Sequence, residues 1–553
     1  MTKRIAHIVI GLPVEGPFDY SISDALLEHV VPGKRVLVMF AGRKRVGVVV
    51  SLGAKTHFPR LNPILQVLDK EPVFSEAFLK FAIEFSLHFG CTQGEALEIF
   101  LPGALRKPRA IALEKNVRTE APEPMADRTL IFDTGLTKRW DALLPKMREV
   151  LARGQGVLCL VPDGSYLNDT VARVAPLVAP QELVVLRHEN EKEELERWLK
   201  VCSGEARLAV GFISGVFAPV DRLGMIVLID EESHSYKHDQ SPFYHAREAA
   251  FLRGRIEGAA VVCVSSAPSV EIWREVMEKK EALTVLKEAL PPVKMLDLTN
   301  FKMKKDTFLS QPLTQQIEAA LKEGKPVLLY IPAAKGVSAV ILEAAARFPG
   351  ADIAGYEKAS AGPPHKCDIL VATQAVFRYR SSLRFYLSVI LDTDWEFHKN
   401  DYRAAHGAFA LVQHLRQMTW GCVLMQTRHA HNEHLHDILA DNYESFYTRE
   451  LHHRRDAGLP PYAILVALVV RSADPELACA EAKRLYDMFN DKRLEDIGVL
   501  EPQQDRSAIV RGKFRYCVMV HGLELKEVMG FVKENLKAFR RKKDVVITVN
   551  VNP

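Results

Sequence analysis

Up to about residue 105 the chain opens with β-rich sequence, short apolar runs broken by turns. Residues 35–40 and 45–51 are two such runs, flanking a glycine-bearing stretch at 41–44. Such a pair of runs around a short turn predicts a β-hairpin with a basic tip at Arg43 and Lys44. Between 75 and 89 the apolar residues recur at helical spacing, which predicts a helix packed on the small sheet. From 107 to 128 the chain turns polar and proline-bearing, as an exposed linker would.

Beyond the linker the pattern changes to unbroken apolar runs separated by helical stretches. Runs at 156–162, 206–211, 223–230 and 259–265 read as buried strands, and a second series follows at 326–332, 367–373 and 385–391. Helical spacing lies between them at 313–324 and 337–348. Continuous apolar strands alternating with helices predict doubly wound parallel α/β sheets. The length suits two such sheets in tandem, meeting near residue 290. The tail beyond residue 459 mixes strand and helix and predicts a small α+β domain.

The chain has 553 residues, enough for about three to four domains. With 73 Lys and Arg against 69 Asp and Glu, the net charge of +4 neither demands nor excludes a nucleic-acid partner. The placement of cations therefore matters more than their sum. They cluster at Arg43–Lys44–Arg45, at Lys302 with Lys304 and Lys305, at Arg511 with Lys513 and Arg515, and from Arg540 to Lys543. If the third cluster is a strand, alternation puts its three cations on one face, where they suit a phosphate backbone. The longest apolar runs, such as 463–470, are too short to span a membrane, and no small-residue cleavage site follows the basic start. The eight cysteines contain no C-x-x-C pair, so they read as reduced thiols of a cytoplasmic protein without zinc.

Two tandem α/β lobes suggest a nucleotide-driven motor, whose phosphate loop reads G-x-x-x-x-G-K-[ST] after the first strand. At that place Lys138 holds the lysine position and Thr134 and Gly135 lie within the loop. Phe132 and Thr137 replace the framing glycines, Arg139 replaces the magnesium-binding hydroxyl, and Asp133 adds negative charge where an anion would sit. Taken alone the stretch reads as an ordinary strand-to-helix turn. Further on, an apolar run ends in Asp230, Glu231 and Glu232. This is the pattern that holds magnesium and activates water in such motors, although a strand emerging into solvent often ends in the same way.

Those carboxylates, followed by Ser235, Tyr236 and Lys237 and then by Tyr244, His245, Ala246 and Arg247, resemble the PriA family of replication-restart helicases. The resemblance runs along nearly the whole chain. Pro17, Phe18, Asp19 and Tyr20, with Pro32 and Gly33, are similar to the domain that captures a DNA 3′ end; Arg511 to Tyr516 and the terminal Asn552 and Pro553 are similar to the closing domain. Three departures stand out. Ser233 takes the place of a motif histidine, Met418 to Gly421 take the place of the arginine motif, and too few residues separate Tyr330 from Ile369 for the cysteine-rich zinc module.

The resemblance implies a 3′-DNA-end domain at 1–107, a linker at 108–128, RecA-like helicase lobes at 129–290 and 291–450, and a C-terminal α+β DNA-binding domain at 451–553. It implies a pocket for the 3′ end built from Phe18, Asp19, Tyr20 and Gly42, with Asn62 where the family has a lysine. Lys138, Asp230 and Glu231 become relics of the motor, and Thr134, Gly135 and Lys138 relics of its nucleotide site. The expected function is binding of forked, 3′-ended or single-stranded DNA in the cytoplasm, as a platform for primosome or helicase-loading proteins, without ATP turnover, zinc or a membrane. An active 3′-to-5′ helicase and a scaffold that binds only protein are the alternatives.

Overall fold

The computed structural model describes residues 4–111, 113, 128–187, 189–278, 282–301, 303, 307–332, 336–360, 362, 366–399 and 401–553. Most of the expected linker at 108–128 and the cluster of Lys302, Lys304 and Lys305 lie outside these residues. Two compact units emerge: Met1–Thr129, Leu144–Cys263 and Gly458–Pro553 form one, Leu130–Leu143 and Val264–Ala457 the other.

The first unit opens with a five-stranded antiparallel sheet, ordered Phe18–Ser21, Ile5–Ile10, Arg43–Gly53, Arg35–Phe40, Ile64–Val67. Alternation sends Ala6, Ile8, Ile10, Val36 and Val38 into one core, and Tyr20 joins them. The hairpin turn is shorter than the sequence suggests. Ala41 and Gly42 take φ of 47° and 76°, the left-handed pair that a two-residue turn requires, so Arg43 and Lys44 become ladder residues opposite Phe40 and Met39. The helix Glu76–Phe89 starts at a Ser75 side-chain cap and stops at Gly90 in the left-handed region. Its Phe81 stacks on Phe100 and Phe217, and Phe85 meets both rings edge-on.

The same unit holds parallel strands in the order Leu223–Ile229, Gly156–Leu160, Leu208–Gly211, Leu183–Leu186. Every residue of Gly156–Leu160 and Leu223–Ile229 is buried, which explains their unbroken apolar sequence. It closes with a β-α-β-β-α-β arrangement. Its antiparallel strands are ordered Ile497–Val510, Lys513–Gly522, Ile464–Ser472, Val546–Val551, and helices Pro475–Asp491 and Leu525–Ala538 cover the core.

In the second unit six parallel strands follow the order Val293–Asp297, Thr419–Thr427, Phe385–Ile390, Val327–Tyr330, Ile369–Ala372, Ile353–Tyr356. Helices Gln311–Lys322 and Val337–Arg347 pack on this sheet through Leu313, Ile317, Val340 and Ala344. Here too Leu283–Leu286 pairs in parallel with the strand ending at Asp133. The fold class is thus the expected one: parallel α/β sheets of the kind found in RecA-like lobes, an antiparallel N-terminal sheet and a C-terminal α+β domain. No helix among the described residues is long and apolar enough to cross a membrane.

Candidate DNA-end pocket and phosphate loop

Alternation along Phe18–Ser21 separates two roles. Tyr20 is buried and donates its hydroxyl to Met39 O at 2.9 Å, and Phe18 packs on Phe40 with ring centroids 4.8 Å apart. Tyr20 thus sits in the core of the sheet, and Phe18 packs beside it. Asp19 points to the opposite face, in register with His7 of the adjacent strand. His7 Nδ1 lies 2.8 Å from Asp19 Oδ1, and the Thr56 hydroxyl donates to Oδ2 at 2.5 Å. Burial pushes the Asp19 carboxyl up. The hydrogen bonds from Thr56 and His7 and the charges of His7 and His57 outweigh it, and the net shift is downward. An ionised carboxylate accepts about two bonds per oxygen, so both oxygens keep capacity for a further donor. Gly42 is exposed at the hairpin turn.

The loop after the strand Arg128–Asp133 is built differently. Asp133 is fully buried and turns back into its own loop: the amide of Gly135 donates to Oδ1 at 3.2 Å and the amide of Arg139 to Oδ2 at 2.9 Å. Arg139 Nε adds a contact at 3.4 Å to Oδ2, and Arg139 Nη2 donates to Gly135 O at 3.1 Å. Burial, with the charge of Glu288, raises the Asp133 carboxyl; the Arg139 charge and these amides pull it down only in part, and the net shift is upward. Glu288 sits over the same loop. Its amide donates to Thr134 Oγ1 at 2.8 Å, its carboxylate accepts from Thr137 Oγ1 at 3.3 Å, and a Cβ on Gly135 would fall 2.2 Å from it. Lys138 reaches Lys287 O at 3.0 Å. From the helix Ala404–Met418, Gln417 Nε2 donates to Thr134 O and Gly135 O, both at 2.9 Å. Arg416 is occupied elsewhere, paired with Asp441 at 2.5 Å.

The carboxylates expected as relics of a motor are also engaged. Glu231 is buried against Arg247 Nη1 at 2.7 Å, and Asp230 takes a φ of 47° at the end of its strand. Tyr236 is buried with its hydroxyl 2.8 Å from Leu160 O and Ile229 O, and Lys237 Nζ donates to Val551 O at 2.9 Å. At the C-terminal hairpin, Arg511 and Gly512 have φ of 51° and 73° and form the turn itself. The expected row of three cations on one strand is therefore corrected: only Lys513 and Arg515 lie on the strand. Lys513 is exposed, whereas Arg515 is paired with Asp505 at 2.6 Å and sits opposite Arg471.

For a metal, His434, Glu450 and His453 bring their ligand atoms within 4.8 Å of one another. Glu450, however, is already paired with the buried Arg454 at 2.8 Å, which places a resident cation beside the group.

A family model described as the 3′ DNA-binding domain of PriA matches residues 7–102. Curated relatives named replication restart protein PriA extend the match along the chain. The one from Treponema pallidum is 23% identical over 99% of both chains, and the one from Rickettsia conorii is 22% identical over 94% of both. The matched domain and these relatives together support a PriA-family member. The chain spans 62% of the length of the Bacillus subtilis relative, which is 23% identical over 74% of this chain. Among solved structures, RecG bound to a three-way DNA junction aligns with 59% of this chain and 44% of its own, at 12% identity and a TM-score of 0.38. The DUF1998 helicase MrfA bound to DNA and AMPPNP aligns with 59% and 49%, at 11% identity and the same TM-score of 0.38.

Within the PriA match, Phe18, Asp19, Tyr20 and Gly42 all fall in the 3′ DNA-binding domain. Sequence reasoning missed His7, Thr56, Glu288 and Gln417. His7 carries a usable signal, because it is the one polar residue in the run 5–10 and its parity opposes that of Ile8 and Ile10. Gln417 and Glu288 carry none, since only tertiary folding brings them to residues 134–137.

Proposed function

We propose that this PriA-family chain binds forked or 3′-ended DNA in replication restart and acts as an assembly platform for primosome proteins, without hydrolysing ATP and without a zinc requirement. The observation that carries the reading is Asp133 in its own phosphate loop. A phosphate loop works because backbone amides are left free to surround an anion and a lysine meets the outer phosphates. Here the Gly135 and Arg139 amides already hold a carboxylate, Glu288 adds a second negative group, and Lys138 is turned to a backbone carbonyl. An incoming triphosphate meets anions and occupied donors.

The DNA half of the reading rests on Asp19 within the matched 3′ DNA-binding domain. A free 3′ hydroxyl is a donor, an internal 3′ oxygen is esterified and is not, and a carboxylate accepts from the first while repelling a 3′ phosphate. Retained Asp230 and Glu231 favour the second reading, an ATP-driven 3′-to-5′ helicase. One experiment separates the two: ATP turnover and fork binding measured on the same preparation, with and without DNA. Tight fork binding with no turnover supports the platform, and DNA-stimulated turnover supports the helicase.

A further inference from the structure

His7 and Asp19 face each other in register on adjacent antiparallel strands, on the side of the sheet away from the core. The other neighbour of His7 is the strand Arg43–Gly53, which offers Ser51 in register and then Gly53. A Cβ on Gly53 would stand 2.6 Å from His7 Nε2, so glycine leaves the ring its place. The groups around the His7–Asp19 pair are thus Asp19 from one strand, uncharged Ser51 and Gly53 from the other, and Thr56 and His57 from the segment that follows.

We infer that His7 is a positioning residue for strand-end recognition: it orients the Asp19 carboxylate and sets the net charge of the pocket, so that preference for a 3′ hydroxyl over a 3′ phosphate weakens as His7 takes up a proton. This rests on the reading of Asp19 as the acceptor for a 3′ hydroxyl. With a neutral ring, Nδ1–H donates to Asp19 Oδ1 and the Thr56 hydroxyl donates to Oδ2, while the pocket keeps its full negative charge. A proton added at Nε2 leaves both bonds intact and cancels that charge. The acceptor geometry survives, but the repulsion of a terminal phosphate does not. Imidazole side chains in general are the ones that change charge between about pH 5 and pH 8, which sets the pH range of the test.

The test uses the full chain and two forks that differ only in a 3′ hydroxyl or a 3′ phosphate, with affinities measured at about pH 8 and about pH 5.5 at constant salt. A terminal phosphate monoester titrates near pH 6 itself, so the control is His7→Asn, which keeps a donor near the Nδ1 position and does not titrate. The expected result is a hydroxyl preference that falls several-fold more on acidification in the unmodified protein than in H7N. Thr56→Val should weaken hydroxyl-end binding at both pH values by a similar factor, with the pH response retained. His57→Gln should leave the response unchanged and gives a second reading if H7N does not fold. Matching pH responses in the unmodified protein and H7N, with the hydroxyl preference intact, would overturn the role of His7. So would a response abolished by H57Q. Absence of any hydroxyl preference at either pH in the unmodified protein would instead remove the Asp19 reading, and this inference with it.

Discussion

Two carboxylates, Asp19 and Asp133, follow opposite rules. Asp19 lies on the outer face of an antiparallel sheet, held from behind by His7 and Thr56, with 15% of its side chain exposed. Asp133 has none of its side chain exposed, and both its oxygens are taken by donors from the next six residues. The first has been positioned with acceptor capacity to spare; the second has been enclosed. Motif spelling alone misses this difference. Lys138 keeps its place in the motif, but what binds phosphate is a set of free amides, and here the Gly135 and Arg139 amides are held by Asp133.

The largest expected effect is on catalysis. Forked DNA should elicit no ATP turnover, and a rate of even about 1 per second, the low end of ordinary enzyme rates, would break the comparison. Lys138→Ala should correspondingly leave fork affinity unchanged, read by titration at fixed salt. Next comes stability. Asp133→Ala removes the carboxylate beside buried Arg139 and should cost about 3–5 kcal/mol in chemical denaturation, as removing one member of a buried pair does. A loss below about 1 kcal/mol would mean that the enclosure is incidental.

Asp19→Ala should act the other way round, on binding more than on folding. Losing a hydrogen bond to a charged acceptor should cost about 1.5–3 kcal/mol on forks with a 3′ hydroxyl. Forks ending in a 3′ phosphate should bind weakly to the unmodified protein and respond little to the change. Equal binding of both ends by the unmodified protein would place Asp19 with Asp133, as a residue retained for structure alone.

The parallel strands were legible because burial on both faces forces unbroken apolar runs: Val327–Tyr330, Ile369–Ala372 and Phe385–Ile390 sit inside the stretches that predict them. Turns were less legible. Basic residues at 43–45 resemble a tip, but Ala41, an unusual residue at positive φ, closes the hairpin two residues earlier. The same thing happens at Arg511, where Gly512 marks a turn inside what reads as a strand of alternating cations. Asp19 was visible through its neighbours, while its partners were not, because a strand pairing across twelve residues and a loop at Thr56 must form before they meet. Asp133 was legible only as a misplaced charge. That it serves its own loop depends on backbone geometry.

The smallest expected effect concerns the cations of the C-terminal hairpin. A lysine or arginine that neutralises a DNA phosphate releases counterions on binding, and removing one such cation lowers the slope of log affinity against log salt by roughly 0.7–0.9. Lys513 and Arg511 are exposed on the strand and in the turn, with side chains able to follow a backbone. Arg515 is not in that position: Asp505 neutralises it at 2.6 Å, both side chains are 19% exposed, and Arg471 opposite already crowds it with like charge. Pulling Arg515 onto a phosphate would leave Asp505 uncompensated. Lys513→Gln and Arg511→Gln should therefore each flatten the salt dependence by about that increment, whereas Arg515→Gln should leave the slope where it is. A slope that drops equally for all three would mean that DNA displaces Asp505; a slope that moves for none would mean that the hairpin does not touch DNA, and would leave the Asp19 pocket to hold the strand end without it.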